Sequence, residues 1–335
     1  MRKLFLISTI LFLGFHLKAQ DIHFSQFNVA PMVYNPANTG FFDGDVRFIG
    51  NQRTQWRSVT TPYNTVGGSV DFRNAFGQNG VGAGLSIYQD RAGDSRLNTL
   101  AINGAGSYEL AASIDSTHRF HVGIQLGFTQ RKIDYSALTY DSQWNGFSYD
   151  PSLSPNETFA RDARGYLNVN FGFGWRYVTD RRHQLEAGIA LHNANGPDQS
   201  FFDDPSITLD RRVSLTAFGI WEVADEWDAL GGILLSRQRM FTEFIPGGGA
   251  RYILMDNELG FRTIFGGIFW RTRDAGYILA GMDYDEWRFG ISYDINTSNL
   301  RPASNGRGGL EFSVVYILAK EKPKAVRRRL CREFF

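Results

Sequence analysis

The sequence predicts an all-β chain, a transmembrane antiparallel β-barrel of about 14 strands with an N-terminal plug or periplasmic cap. Three observations carry this reading. Apolar and polar residues alternate over strand-length windows. The polar side of those windows is built of glycine, asparagine, serine and glutamine with scattered charges, which suits a lumen better than bulk water. Short and long connections alternate along the chain, as in barrels with tight periplasmic turns and larger outer loops.

Met1–Ala19 reads as a signal peptide. Arg2 and Lys3 precede an apolar run, Leu4–Phe15, and Ala19 supplies a small residue for cleavage. The run is too short to span a bilayer. Its removal takes three of the 35 basic residues (Arg2, Lys3 and Lys18) and none of the 34 acidic ones, leaving a net charge of −2. That balance offers no electrostatic footprint for nucleic acid. The single cysteine is Cys331, so no disulfide framework is expected. No later stretch reaches the ~18 apolar residues of a transmembrane helix.

Residues 20–43 form the expected plug or cap. Within them "APMVYNPANTGFF" is apolar, aromatic and broken by Pro31 and Pro36. Such a segment cannot easily cross lipid, but it can fold into a barrel mouth where lumen side chains meet its backbone. Leaving Phe24, Phe27, Met32, Val33, Tyr34, Phe41 and Phe42 in water would be costly.

Residues 44–318 form the expected barrel. In "RFHVGIQLGFTQR", Phe120, Val122, Ile124, Leu126 and Phe128 share the lipid face, and His121, Gln125 and Thr129 the lumen face. A charge at Ile124 should therefore cost far more than one at Gln125. In "GYLNVNFGFGWRY", Leu167, Val169, Phe171, Phe173, Trp175 and Tyr177 face out, and Asn168, Asn170 and Arg176 face in. Similar strands run through Val66–Phe72, Val81–Tyr88, Leu100–Tyr108, Leu185–Leu191, Val213–Trp221, Trp287–Tyr293 and Leu310–Leu318. Long connections are expected at Lys132–Arg164, Asn193–Asp210, Arg237–Pro246 and Asn296–Gly308. Phe241–Met255 carries Pro246 and Gly247–Gly249, and Leu259–Arg271 is apolar on both faces, so a count of about 12 strands competes. An even count returns residues 319–335, a basic tail, to the periplasmic side.

No catalytic signature is found, and neither enzyme activity nor a cofactor is expected. Gly80-Val81-Gly82-Ala83-Gly84 lies in a strand, so it cannot cradle a dinucleotide; its glycines leave lumen space or ease curvature. The histidines lack metal-ligand spacing. The lumen charges Arg47, Arg53, Asp71, Arg73, Asp90, Arg131, Arg176 and Glu186 read as paired with one another or with a plug rather than as pore-tuning charges.

The segment "SQFNVAPMVYNPANTGFFDGDVRFIGNQRTQWRSV" resembles the start of PorP/SprF-family proteins, through Pro31, Tyr34, Asn35, Pro36, Ala37 and Gly40, then Arg53, Gln55 and Trp56. "WRFGISYDIN" and "GGLEFSVVYIL" resemble the family's last two strands. "RRRLCREFF" resembles its Cys-containing tail, but departs from a proline-containing ending. The resemblance implies an integral outer-membrane protein of a Gram-negative bacterium, associated with type IX secretion and gliding motility. Its implied partners are outer-membrane lipid, a secreted adhesin or that adhesin's C-terminal domain, and periplasmic ring and lipoprotein components. Asn35-Pro36-Ala37 also resembles the hatch motif of FadL-like barrels. That implies an alternative, a transporter of hydrophobic small molecules, which would need an apolar lumen pocket. Candidate partner contacts are the loop aromatics Tyr140, Trp144, Phe147, Tyr149, Phe201 and Phe202. The blander reading is that these rings only fold the loops over the barrel mouth.

Overall fold

A computed structural model describes residues 23–57, 61–112, 117–157, 160–257, 260–298 and 301–319. The expected signal peptide, and the basic tail beyond Ala319 with Cys331, lie outside the described residues.

Fourteen antiparallel strands close into one barrel. They are β1 (Val46–Gln55), β2 (Tyr63–Phe72), β3 (Val81–Ala92), β4 (Leu97–Ala112), β5 (His118–Lys132), β6 (Ala163–Val178) and β7 (His183–His192). The second half is β8 (Arg212–Ala224), β9 (Trp227–Gln238), β10 (Phe241–Asn257), β11 (Gly260–Arg271), β12 (Ala275–Tyr284), β13 (Trp287–Asn296) and β14 (Arg307–Leu318). Each strand pairs with its sequence neighbours, and β1 pairs with β14, Val46 opposite Leu318 through Thr54 opposite Leu310. Closure leaves no backbone edge for lipid, which could not satisfy one.

The period-2 pattern does what it predicted. Ile124 and Leu126 are 45% and 60% exposed on the outside, whereas His121, Gln125 and Thr129 are buried inside. Trp221, Trp227 and Trp287 ring the outer surface near the rim where β1 begins and β14 ends; Tyr63, Phe241 and Trp270 ring it near the other. These are the aromatic girdles of a barrel in lipid. The first rim carries the tight connections, such as 225–226 and 285–286, and the opposite rim carries 133–162 and 193–211. By that asymmetry the tight rim faces the periplasm.

One expected loop is absent. Arg237–Pro246 is not a long connection: β9 ends at Gln238 and β10 starts at Phe241, joined by the two-residue turn 239–240. The pleat continues through Pro246, which sits opposite Ile233. Gly247 then leaves space that the Phe269 ring occupies on neighbouring β11. The strands also reach past their apolar cores. β4 extends to Leu97, opposite Ala92 on β3, and to Ala112, opposite Arg119 on β5.

The inner surface is less polar than expected. Leu234, Ile245, Phe269, Tyr277 and Leu279 on β9–β12 point inward and form a buried cluster with Phe24, Phe27, Ala30 and Tyr34. The apolar second face expected of Leu259–Arg271 is thus explained, over the described Gly260–Arg271, by the N-terminal segment that Phe269 packs against. That segment runs inside the barrel from the loop rim, where the Arg53 guanidinium donates to the His23 carbonyl, to the turn rim, where the Gly40 N–H donates to Asp71.

Candidate functional site

The family-like residues Pro31–Gly40 build a compact turn held against the barrel wall. Pro31 opens a single helical turn, Pro31–Tyr34, and Pro36 opens a 3-10 turn, Pro36–Asn38; proline suits a first helical position because its missing N–H is not needed there. Asn35 joins the two. Its side-chain oxygen accepts from the Ala37 N–H at 2.9 Å, and its amide donates to the Phe173 carbonyl on β6 at 2.9 Å. Glycines make the close approach possible. A Cβ on Gly172 would strike Asn35 Oδ1, one on Gly188 would strike Asn35 Nδ2, and one on Gly123 would lie 2.5 Å from the Pro36 carbonyl carbon. Gly82 and Gly84 leave room for Thr39 in the same way, so the strand glycines read as lumen space serve this turn. Gly40 has φ +70 beside the Phe72 carbonyl, a conformation and a gap that favour glycine.

A second anchor lies nearer the loop rim, where Phe24-Ser25-Gln26-Phe27 is gripped by the wall. Glu311 accepts the backbone N–H groups of Ser25 (2.7 Å) and Gln26 (3.0 Å). The Tyr277 hydroxyl donates to the Ser25 carbonyl at 2.5 Å. The Ser25 hydroxyl donates to Asp294 and accepts from Arg271. The Gln26 amide donates to Ser292 and to the Glu311 carbonyl, and its oxygen accepts from Ser313. Tyr34 links the two anchors: its hydroxyl donates to the Phe24 carbonyl and accepts from the Phe24 N–H, both at 2.8 Å. Burial pushes the Tyr34 phenol up, so it stays a neutral donor and acceptor.

Arg53, Gln55 and Trp56 belong to the loop-rim end rather than to the Asn35 turn. Arg53 is 1% exposed and bridges Asp294 (2.8 Å) and Glu311 (3.7 Å). The Gln55 carboxamide lies against the Arg53 guanidinium, and with its oxygen turned toward Arg53 it accepts from Nε at 3.1 Å. Trp56 is half-buried at φ 62 just past β1. The lumen charges are paired, as their burial requires: Arg47 with Asp71 (2.7 Å), and Arg176 with Asp43 (3.0 Å) and Glu186 (2.9 Å). Asp90 accepts from Thr65, Arg131 donates to Gln199, and Arg73 donates to the Phe42 carbonyl. Sequence reasoning missed Asp294, Glu311, Arg271 and Tyr277. For Asp294 and Glu311 a signal was available: acidic residues on the lumen face of "WRFGISYDIN" and "GGLEFSVVYIL".

Below the segment, on the turn-rim side, a cavity of about 630 Å³ is lined by Pro31 and Tyr34 with Arg176, Glu186, Arg251 and Arg288. Its lining is mixed, with Phe218, Ile220, Phe261 and Trp287 beside those charges, whereas the apolar cluster of the lumen is filled by Phe24 and Phe27.

On the loop rim, Trp144 and Tyr149 pair across a small β-bridge that presents Phe147, 93% exposed. Trp144, Tyr149 and Phe202 are exposed too, while Tyr140 and Phe201 are half-buried. The Tyr140 hydroxyl donates to the Tyr135 carbonyl, so this ring folds the loop. The turns around these rings are set by Asp134 and Asp150, whose carboxyls are held below the usual range by hydrogen bonds from Ser136 and Ser152.

Among the described residues no cluster of histidine, cysteine and acidic side chains suits a metal. A family model for the type IX secretion system membrane protein PorP/SprF matches residues 16–316. Among solved structures, the toluene transporter TodX of Pseudomonas putida is similar at 12% identity and TM-score 0.50, with 86% of this chain and 92% of that chain covered. The Ralstonia pickettii toluene transporter TbuX matches at 10% identity and TM-score 0.48, covering 86% and 92%. BamA from Haemophilus ducreyi lacking POTRA domains 1–3 matches at 10% identity and TM-score 0.42, covering 82% and 70%. At these identities the likeness is one of barrel fold alone. No curated protein matches the chain.

Proposed function

Because the chain belongs to the PorP/SprF family of type IX secretion system membrane proteins, we propose that this outer-membrane barrel engages a secreted surface adhesin, or its C-terminal domain, for export or surface attachment. Residues 20–43 act as the plug, and the tight rim meets periplasmic ring or lipoprotein components of the machine. The observation that carries the reading is the aromatic group Trp144, Phe147, Tyr149 and Phe202, held out in solvent on loops above a rigid closed sheet. Exposed aromatics ringed by polar groups are what binding hot spots are made of, and a rigid scaffold spares a partner much of the ordering cost. A transporter of hydrophobic small molecules fits less well. Its substrate would need an apolar pocket, but the chain's own Phe24 and Phe27 fill the apolar cluster of the lumen, and Arg176, Glu186, Arg251 and Arg288 share the lining of the open chamber with its apolar side chains.

The test is a paired substitution, Trp144→Ala with Phe202→Ala. Both rings are exposed, so the barrel should keep its heat-modifiable mobility, while capture of the secreted partner at the cell surface falls. Full capture by a normally folded variant would make these loops lids and return the search to the tight rim.

A further inference from the structure

The grip on Phe24–Phe27 has the form of a ligand site. All four residues are buried, and both backbone and side chains are read: two N–H groups by one carboxylate, one carbonyl by a phenol, one hydroxyl by Asp294 and Arg271, and one carboxamide by Ser292, Ser313 and a main-chain carbonyl. Phe24 packs on Tyr88, and Phe27 meets Phe269 edge-on. Gly290 leaves the space that the Gln26 side chain enters.

Yet the segment adds no strand to the sheet, and all fourteen strands pair without it. Its covalent link to the barrel runs through Asp43–Asp45, where the Asp43 carboxylate is 58% exposed. A cavity open to the turn rim lies beneath it and gives solvent a way in. Residues that contribute no backbone to a sheet, and are held by side chains specific to each of them, behave as a bound peptide does.

We propose that the wall formed by β1 and β11–β14 is a peptide-recognition site, filled in cis by Phe24-Ser25-Gln26-Phe27. In exchange it accepts a segment of a second polypeptide that can take the same tight turn, closed by the Phe27 N–H on the Ser25 carbonyl at 3.0 Å, with the same order of chemistry: aromatic ring, small hydroxyl, carboxamide, aromatic ring. The specificity resides in the inner positions. Glu311 grips any backbone, but only a hydroxyl at the second position answers both Asp294 and Arg271, and only a carboxamide at the third both donates to Ser292 and accepts from Ser313.

The experiment uses the full chain with a protease site inserted between Asp43 and Gly44, cut after folding in detergent. A fluorescent synthetic peptide of residues 23–42 is then added, and binding is followed by anisotropy. The cut barrel should keep its folded mobility and take up the peptide, excess unlabelled peptide should chase it, and uncut barrel should take up far less. A Gln26→Ala peptide, or a Glu311→Gln barrel, should bind about ten-fold more weakly or worse, the scale of losing buried hydrogen bonds. Three results would each overturn the proposal: loss of the folded barrel on cutting, no uptake by a folded cut barrel, or equal uptake of native and Gln26→Ala peptides.

Discussion

A single methyl group at Gly123 tests whether the Asn35-Pro36-Ala37 turn is seated by the wall. In Gly123→Ala the new Cβ would lie 2.5 Å from both the Pro36 carbonyl carbon and the Ala37 nitrogen, and 2.6 Å from Ala37 Cα. Favourable carbon contacts lie near ~3.5–4.0 Å, so the turn must retreat by about 1 Å. The obstructing atoms are backbone, and no rotamer change relieves them. Overpacking of this kind costs ~1–3 kcal/mol. The retreat also stretches the 2.9 Å bond from Asn35 to the Phe173 carbonyl, worth ~1 kcal/mol. A loss of ~2–4 kcal/mol therefore falls on the segment and spares the β4–β5–β6 ladder. The readout is protease cleavage at Phe41 and Phe42, which are buried when the segment is seated. Where cleavage follows the open population, the rate should rise roughly 30-fold or more while heat-modifiable mobility persists. Gly104→Ala is the control: it faces outward, and its Cβ would meet only Leu85 Cδ2 at 3.7 Å. Equal protection in the two variants would refute the seating argument.

Ile124→Arg places a charge on the lipid face and should cost ~2–4 kcal/mol, read as lost folded yield. Gln125→Arg should cost the barrel much less than Ile124→Arg, but Gln125 is 4% exposed, donates to the Met32 carbonyl and accepts from Asn170, so this variant should fold and yet release the segment to protease. Arg53→Gln strips Asp294 and Glu311 of a buried partner and should cost ~3–5 kcal/mol in denaturant unfolding. The turns at Asp134 and Asp150 have depressed carboxyl pKa values; their stabilisation is present above the unfolded value of about 3.9 and is lost only as pH falls through the lower folded values, so hydrogen-exchange protection there, relative to the intrinsic rate at each pH, should be unchanged between pH ~7 and ~5. A tag after Phe335 should be hidden from antibody on intact cells, because β14 ends at the rim where β1 begins; surface labelling would contradict that topology.

The barrel was legible because lipid imposes a rule with no exceptions along a strand. Every second residue in "RFHVGIQLGFTQR" has to be apolar, and that regularity survives in one dimension. The loop-rim connections were legible where they are long, at 133–162 and 193–211, and misread at Arg237–Pro246. There Pro246 and Gly247–Gly249 look like a loop, yet Pro246 fits the ladder and Gly247 makes room for Phe269. The lumen was harder to read. An inward Leu234 or Phe269 looks like a broken pattern until the segment that covers it is known. Asn35-Pro36-Ala37 was noticed, but the glycines that seat it lie on β5, β6 and β7, at distances in sequence that no local pattern links.

The same distance explains the most telling contact. Arg53 and Glu311 are register partners across the β1–β14 seam, where the first and last strands of the barrel meet. Glu311 is also the residue that grips Ser25 and Gln26. The grip on Phe24–Phe27 is therefore complete only in a closed barrel, and seating the segment adds contacts to both sides of the seam. Three stretches set apart by their resemblance to one family, "SQFNVAPMVYNPANTGFF", "WRFGISYDIN" and "GGLEFSVVYIL", turn out to touch: Ser25 reaches Asp294 in the second and Glu311 in the third. Their residue types are constrained together because each supplies a different atom to one hydrogen-bonded cluster. A charge left unanswered there would be buried without a partner, and that penalty links Ser25 and Gln26 to the last two strands.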